Sequence, residues 1–408
     1  MRIHRVLVRG VAETLMSIFR DQKYADKALE KLFHLNKKWG SRDRGFIAEQ
    51  TYEAVRWLRL LHFALTGEVQ MTARLDAAYW WQIVAVNIIR QNHLELIELP
   101  EWEGLPSEKI IRARLQQADL PLAVVGSIPD WLQEIGEHAF GEHWQAELAA
   151  LNSPAPVILR CNRLKTSPEA LLQALHKEQI DCSVFSAETP DAIMLKQRSN
   201  VFSSEAFKNG WFEVQDAASQ LVVQHLEVKP GLRVVDACAG AGGKTLHLAS
   251  LMQKKGQIIA LDTEQYKLDE LKKRAKRAGA DNIESRLIES TKTIKRLHDS
   301  ADRLLLDVPC SGLGVLRRNP DAKWKLKPEF IQSIQVVQRD ILQNYSKMLK
   351  KGGLMVYATC SILPAENELQ VQYFLANNPE FTLLAERKTT PAKDNMDGFY
   401  MATLKRND

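Results

Sequence analysis

Two cysteines lie at points where a thiol could attack a bound ligand. Cys310 follows Asp307 and Pro309 in LLLDVPCSGLG, and Cys360 ends the β-rich run GLMVYATC. A single cysteine is more often a small buried apolar residue than a nucleophile. Two of them, each at the end of a β-rich run and beside turn-forming residues, indicate covalent chemistry by a thiol, with Asp307 able to move a proton.

Glycines mark a second candidate site in RVVDACAGAGGKT. Gly240, Gly242 and Gly243 follow a β-rich run and precede a helical one, so the backbone can approach a ligand closely. A Walker phosphate loop needs glycine in place of Cys238, and a dinucleotide fingerprint needs glycine in place of Thr245. Neither motif fits, and a tight turn without a ligand is the alternative explanation.

Acidic residues end the next two β-rich runs. Asp262 lies about 20 residues beyond the glycines, where a carboxylate can accept both hydroxyls of a ribose. Glu289 ends the third run in SRLIES. An acid at Asp262 without a pyrophosphate-binding loop suits an adenosine ligand such as S-adenosylmethionine.

The elements that must position these residues form an α/β pattern. After Trp211, the runs LRVVDAC, QIIALD, SRLIES, RLLLDVP and GLMVYATC alternate with helical segments. This alternation predicts a mostly parallel, doubly wound sheet, in which ligands bind beyond the carboxyl ends of the strands. The candidate residues all follow such strands, so we expect them to lie at one edge of the sheet.

The rest of the chain predicts two further domains. Residues 1–150 are helical in pattern, as in RGFIAEQTYEAVRWLRLLHFAL, where apolar residues recur at helical spacing. Residues 151–210 read as a small α/β segment, with strands VILRCNR and CSVFS around a helix capped by Ser167. The α/β domain with the candidate sites then covers 211–408.

Composition excludes several classes of protein. A net charge of +5 and a pI near 8.8 permit a nucleic-acid partner without identifying one. Five cysteines without CxxC or Cys/His pairs disfavour a disulfide framework and a zinc site. No apolar run approaches membrane-spanning length, and the N-terminus lacks the apolar region of a signal peptide. We therefore expect a cytoplasmic protein, monomeric, with free thiols, no metal and no membrane contact.

The motifs LLLDVPCSGLGVLRRNPDAKW, TCSILPAENE and DGFYMATLKR resemble those of the Fmu/Sun (RsmB/NOP) family of RNA 5-methylcytosine methyltransferases, over about 211–408. The family's cofactor loop usually reads D-x-C-A-A-P-G-G-K-T, and Gly240-Ala241 stands here in place of Ala-Pro. Residues 1–150 are similar to the NusB-like helical domain of the ribosomal RNA members, and the 151–210 segment resembles the family's RRM-like segment. The resemblance implies a Rossmann-like class I methyltransferase domain.

The resemblance also implies a cofactor and a partner. The cofactor is S-adenosylmethionine, and the partner is RNA, in particular ribosomal RNA. The family usually has Asp in place of Glu289. The residues that would contact the cofactor are Cys238, Ala239, Gly240, Ala241, Gly242, Gly243, Lys244, Asp262, Glu289 and Asp307.

Cytosine C5 is a poor nucleophile, so a thiolate must first add at C6. The resemblance assigns this attack to Cys360 and assistance in its release to Cys310. The reverse assignment stays open, because DNA cytosine methyltransferases attack through a Pro-Cys pair like Pro309-Cys310. Lys244 could stabilise the thiolate, and Asp307 could supply a proton at N3. The target base must be unpaired or flipped out of a helix.

A basic segment follows the site and could bind RNA phosphates, with one aromatic residue to stack on a base. A solvated charged face is an equally good explanation. The residues are Arg317, Arg318, Lys323, Lys325 and Lys327, with Trp324 among them. The alternative functions are a transfer RNA methyltransferase, a Rossmann methyltransferase acting on another substrate, and a catalytically weak RNA-binding assembly factor.

Overall fold

A computed structural model describes residues 3–71, 76–92 and 97–408. The chain forms two compact units. The first contains the described residues up to Ser153 together with Leu316–Lys327, and the second contains Pro154–Val315 and Pro328–Asp408.

The first unit is helical, as its apolar spacing predicts. Along helix Arg5–Phe19, Val8, Val11 and Leu15 are fully buried, because their spacing places them on one face. They belong to a core that includes Ile47. The other α-helices of this unit are Ala25–Leu35, Ser41–Arg56, Leu58–Thr66, Ala77–Gln91, Glu108–Leu115, Leu122–Val125, Asp130–Phe140, Trp144–Leu151 and Ala322–Lys325, with 3-10 turns at Pro100–Trp102 and Gly141–His143.

The segment 316–327 packs into this helical core, which corrects the interpretation of its basic residues. Lys323 is buried, and its Nζ donates to Arg56 O at 2.8 Å and to Asn152 Oδ1 at 3.1 Å. Trp324 Nε1 donates to the carbonyl of Val55 at 2.8 Å.

Two further basic side chains of the segment are also engaged within this unit. Lys325 Nζ contacts Asp321 Oδ2 at 2.7 Å and the carbonyl of Lys23 at 2.6 Å, and Arg317 is buried. The hypothesis of a phosphate-binding cluster is therefore wrong for Arg317 and Lys323, which are buried. It stays a prediction for Arg318, Trp324, Lys325 and Lys327.

A small antiparallel sheet begins the second unit. Its strands are β1 (Ile158–Cys161), β2 (Cys182–Ser186), β3 (Thr189–Leu195) and β4 (Phe212–Val214), in the order β2-β3-β1-β4. Helix Pro168–Lys177 begins at Ser167, whose hydroxyl accepts from Ala170 N at 3.2 Å. This confirms the predicted cap. A 3-10 turn at Val201–Ser203 and a short helix at Glu205–Lys208 complete the segment.

A seven-stranded sheet forms the rest of the second unit, in the order β10-β11-β9-β8-β5-β6-β7. Its strands are β5 (Arg233–Asp236), β6 (Gln257–Asp262), β7 (Ile283–Leu287), β8 (Ala301–Asp307), β9 (Leu349–Thr359), β10 (Phe381–Thr389) and β11 (Phe399–Arg406). Strands β9, β8, β5, β6 and β7 pair in parallel, and β11 and β10 are antiparallel. The predicted mostly parallel sheet is confirmed.

Helices cover both faces of this sheet. Adjacent residues of β5, Val234 and Val235, enter two different apolar cores because successive side chains of a strand point to opposite faces. The α-helices are Ala217–Gln224, Gly243–Leu251, Gln265–Ala278, Thr291–Lys295, Pro328–Tyr345, Glu368–Asn377 and Pro391–Asp394, with 3-10 turns at Leu313–Val315, Ser346–Met348 and Pro364–Glu366. Among the helices that the structure describes, none combines the length and apolarity needed to span a bilayer.

Candidate active site

The glycine loop connects β5 to helix Gly243–Leu251. Gly240 and Gly242 have φ of 54° and 86°, a backbone region that side chains strongly disfavour. A Cβ at Gly242 would also lie 2.6 Å from Leu271 Cγ, whereas the space beside Gly240 is open. Gly242 therefore requires glycine both for its backbone conformation and for its packing, and the loop leaves room at Gly240 for a ligand.

Asp262 is fixed against this loop at the end of β6. Its Oδ2 accepts from Gly240 N and its Oδ1 from Glu264 N, each at 2.9 Å. Each carboxylate oxygen can accept more than one hydrogen bond, so both can still receive a ribose hydroxyl. Glu289 lies two residues beyond the end of β7 and is exposed, and its contact with the cofactor stays a prediction.

Two arginines donate hydrogen bonds to carbonyl groups of the glycine loop, and neither contact was predicted from the sequence. Arg274 donates to Ala241 O at 2.8 Å, and the buried Arg160 of β1 donates to Gly243 O at 2.5 Å. Burial lowers the pKa of Arg160 to about 10. An arginine inside the apolar run VILRCNR was the available signal, because a buried cation requires acceptors.

Lys244 and Asp307 form an ion pair at the same edge of the sheet. Lys244 Nζ lies 2.6 Å from Asp307 Oδ2, and the Nζ also lies 5.1 Å from the ring centre of Phe399. The ammonium predicted to stabilise a thiolate thus contacts the carboxylate predicted to handle a proton. The structure brings the two residues together as one ion pair, and their catalytic roles stay predictions.

Asp236 is a buried carboxyl group that interacts electrostatically with both members of this pair. Its side chain is fully buried at the end of β5, where Thr245 Oγ1 donates to its Oδ2 at 2.7 Å. Burial raises the pKa of Asp236 to about 7; the Thr245 hydrogen bond opposes this shift and the charge of Asp307 adds to it. Asp236 can therefore carry a proton near neutral pH.

The two predicted thiols meet. Cys310 Sγ lies 3.3 Å from Cys360 Sγ, since their loops follow the adjacent parallel strands β8 and β9. The hydrogen bond with Cys360, together with burial, raises the pKa of Cys310 well above its usual range. Cys310 is thus held as a thiol that can donate to a neighbouring sulfur.

Cys238 differs from these two cysteines. Burial raises the pKa of its thiol strongly, and the charges of Asp236 and Asp307 add to the shift. Cys238 therefore stays protonated in the glycine loop. The cysteines are free, and in the described part of the chain no cluster of three or more His, Cys, Asp or Glu side chains could hold a metal ion.

Glu366, a buried carboxylate close to the two thiols, was not identified from the sequence. Glu366 is fully buried six residues after Cys360, and it accepts hydrogen bonds from Ser311 and Ser361. The motif TCSILPAENE contains Glu366, but spacing alone could not show that it faces the turn after β8.

The residues around the glycine loop fit S-adenosylmethionine. The backbone beside Gly240 is open, Asp262 is fixed with acceptor capacity for a ribose, and the loop carries neither of the phosphate-binding motifs. The thiol pair follows neighbouring strands of the same sheet edge. A methyl donor held at the loop would therefore lie on the side of the sheet where the thiols can act.

Comparisons with known proteins agree with this fold. Residues 223–405 match the family model described as 16S rRNA methyltransferase RsmB/F, and residues 128–202 match the RsmF/B-like ferredoxin-like domain. Ribosomal RNA small subunit methyltransferase B of Vibrio vulnificus (strain YJ016) is 38% identical over 285 residues. That alignment covers 68% of this chain and 66% of the relative, just under two thirds of its length.

Two further comparisons cover nearly the whole chain. The probable ribosomal RNA small subunit methyltransferase B of Synechocystis sp. is 34% identical over 436 residues, which cover 96% of this chain and 97% of the relative. The crystal structure of PH0851 superposes with a TM-score of 0.83 at 24% identity and covers 99% of both chains. This last similarity shows a shared fold.

Proposed function

Because the chain belongs to the 16S rRNA methyltransferase RsmB/F family, we propose that it transfers a methyl group to C5 of a cytosine in ribosomal RNA. The observation that carries the proposal is the thiol pair, Cys310 and Cys360, in the turns after the neighbouring strands β8 and β9, with β8 next to β5, which leads into the glycine loop. A methyltransferase acting on an oxygen or an amine needs no such pair, whereas C5 of cytosine requires a thiol to activate the ring.

S-adenosylmethionine, when bound, supplies the electrophilic methyl group. The loop residues Cys238 to Lys244, with Asp262, Glu289 and Asp307, would hold it. Arg160 and Arg274 act indirectly, because they fix the carbonyls of Gly243 and Ala241. A preformed loop reduces the entropy lost on binding.

Cys360 forms the covalent bond. Its thiolate adds to C6 of the cytosine, and the ring electrons move toward C5 and N3, so C5 becomes nucleophilic. Negative charge on the ring is relieved when N3 receives a proton or a hydrogen bond. The Lys244–Asp307 pair would supply it, since Lys244 Nζ donates to Asp307 Oδ2 and an ammonium group is a donor that a base at this edge of the sheet could reach.

Cys310 assists the release of the product. After C5 gains the methyl group, the C5 proton leaves to solvent and the electrons of the C5–H bond form the C5–C6 double bond. The Cys360–C6 bond breaks with its electrons returning to Cys360 as thiolate, and a proton taken up at N3 goes back to the Lys244–Asp307 pair. Cys310 lies 3.3 Å from this sulfur and is held as a thiol, so its S–H can donate to the departing thiolate.

The substrate assignment rests on the family and on the helical unit. The curated relatives are named as methyltransferases of ribosomal small subunit RNA. We propose that the NusB-like helical unit and the ferredoxin-like segment bind this RNA, that the target cytosine is flipped out, and that the protein acts as a cytoplasmic monomer.

The test measures methyl transfer from labelled S-adenosylmethionine to protein-free 16S ribosomal RNA and to transfer RNA. We compare the wild type with Cys360→Ala, Cys310→Ala and the control Cys182→Ala, a buried thiol in β2. We expect 5-methylcytosine in ribosomal RNA, none with Cys360→Ala, and a protein–RNA adduct that accumulates with Cys310→Ala.

Other outcomes separate the alternatives. Label in transfer RNA alone would show that the substrate is transfer RNA and not ribosomal RNA. An adduct through Cys310 would show that Cys310 is the nucleophile and that Cys360 assists release. Cofactor binding without label in any RNA would favour a methyltransferase of another substrate. RNA binding without cofactor binding would favour an assembly factor.

A further inference from the structure

The carboxylate of Glu366 connects the turns that carry the two thiols. Its Oε1 accepts from Ser311 Oγ at 2.5 Å and from Ser361 Oγ at 2.6 Å. These serines directly follow Cys310 and Cys360 in the chain. One oxygen atom therefore receives a hydrogen bond from the residue next to each thiol.

The second carboxylate oxygen of Glu366 adds hydrogen bonds to the turn that carries Cys310. Glu366 Oε2 accepts from Ser311 N at 2.7 Å and from Gln338 Nε2 at 3.0 Å, and Gln338 Nε2 also donates to Pro309 O at 3.0 Å. Residues on both sides of Cys310 are thus held by this network. Hydrogen bonds to a carboxylate are stronger than those between neutral groups, so the arrangement resists displacement.

Glu366 is placed to act through other residues. Its side chain is fully buried, and the four donors that it receives come from the protein. The backbone is held independently, because Tyr357 OH donates to Glu366 O at 2.7 Å. The carboxylate is therefore a support for the two turns.

We propose that Glu366 is a positioning residue that sets the distance between the Cys310 and Cys360 thiols, so that both reach the same cytosine. The proposal rests on the proposed function for its catalytic consequence. The spacing of the thiols is a property of the protein itself and can be measured without RNA or cofactor.

The first measurement is the spacing of the thiols in the full-length protein. Phenylarsine oxide binds two neighbouring thiols together and a single thiol weakly, so its affinity reports the pairing. The wild type is compared with Glu366→Gln, in which the amide can accept at only one of the two positions. Tyr357→Phe is the matched control, because it removes a buried hydrogen bond to the backbone of Glu366 and leaves the carboxylate network intact.

The proposal expects tight arsenical binding by the wild type and by Tyr357→Phe, and binding weakened about 10-fold or more by Glu366→Gln at equal folded fraction. Cys310→Ala and Cys360→Ala must each abolish tight binding. Weak binding by the wild type, or equal binding by Glu366→Gln, would overturn the proposal. Because no RNA is present, these results do not depend on methyl transfer.

The second measurement is turnover. Glu366→Gln is expected to lower kcat about 10- to 100-fold with little change in KM for S-adenosylmethionine, and to accumulate the protein–RNA adduct as Cys310→Ala does. Replacing Ser311 and Ser361 by Ala should add little further loss to Glu366→Gln, because all three residues form one network. Additive losses would contradict the proposal. An inactive wild type with normal arsenical binding would instead reject the proposed function alone.

Discussion

The ammonium of Lys244 lies 2.6 Å from the carboxylate of Asp307. This ion pair joins the first turn of the helix after the glycine loop to the end of β8, the strand that leads to Cys310. Both side chains are largely sheltered, so water screens their interaction less than it would at the surface. The pair connects the proposed cofactor loop with the proposed site of covalent chemistry.

Replacing Lys244 by Met should remove the charge and keep most of the packing. Without Lys244, Asp307 loses the hydrogen bond that orients its carboxylate, and the site loses the ammonium group. We expect the single-turnover rate of methyl transfer to fall about 100-fold, the size of effect that general acid–base catalysis provides. Lys267→Met is the control, since Lys267 forms a comparable 2.6 Å pair with Glu264 on a helix surface. Equal single-turnover rates for Lys244→Met and Lys267→Met would show that Lys244 does not take part in the reaction.

The raised pKa of Asp236 predicts how stability depends on pH. Below about pH 4 the carboxyl is protonated in the folded and the unfolded chain, and its burial carries no charge penalty. As pH rises from about 4 to about 7, the unfolded chain loses this proton and the folded chain keeps it, so the free energy of unfolding falls. The contribution is at most about 4 kcal/mol.

Urea unfolding at pH 5, 7 and 8.5 tests this dependence. Asp236→Asn cannot titrate, so its free energy of unfolding should fall less between pH 5 and 8.5 than that of the wild type. Asp281→Asn, at an exposed position, should follow the wild type. The same pH slope in Asp236→Asn and wild type would show that Asp236 does not hold a proton in the folded protein.

Much of this site could be predicted from sequence because its residues follow strands. Strand ends of a parallel sheet meet at one edge, so the places of Gly240, Asp262, Asp307, Cys310 and Cys360 follow from topology alone. The pairing of the two thiols is a consequence of β8 and β9 being neighbours.

The supporting residues could not be predicted in this way. Glu366 reaches Ser311 across 55 positions of sequence, and Arg160 reaches Gly243 across 83. Such contacts depend on how side chains are packed in three dimensions, which hydrophobic periodicity does not encode. For Lys323 the sequence predicted a function that the structure does not support. A basic residue near the site suggested an RNA contact, but Lys323 is buried and donates to a backbone carbonyl and to an amide oxygen, so its role is structural.

Lys323 therefore yields a prediction about stability. Lys323→Ala removes two buried hydrogen bonds and leaves a cavity, so the free energy of unfolding should fall by about 2–4 kcal/mol. At temperatures where the variant is folded, the slope of RNA affinity against salt concentration should be unchanged, because no phosphate contact is lost. Lys327→Ala, at an exposed position, should leave stability unchanged. If Lys323→Ala reduced the slope of RNA affinity against salt concentration, Lys323 would contact an RNA phosphate after all.

The backbone of Gly314 packs closely against the turn that contains Cys360, and a substitution at Gly314 tests whether this close contact fixes the position of Cys360. Its N–H donates to Cys360 O at 2.9 Å, and its carbonyl accepts from Gly398 N at 2.8 Å. A Cβ at this position would lie 1.9 Å from Gly398 O and 2.8 Å from Cys360 O, and backbone atoms cannot move away as a flexible side chain can. Gly314→Ala should therefore displace the Cys360 turn.

We expect Gly314→Ala to lower the free energy of unfolding by about 2–3 kcal/mol and to slow formation of the protein–RNA adduct at Cys360. Gly45→Ala is the matched control, because its helical position has open space, and alanine there should be neutral or stabilising by up to about 1 kcal/mol. Thermal unfolding and the rate of adduct formation in the Cys310→Ala background measure the two effects. If the adduct forms at the same rate with Gly314→Ala, then the close approach of these backbones serves folding alone, and the position of Cys360 is fixed by its other contacts.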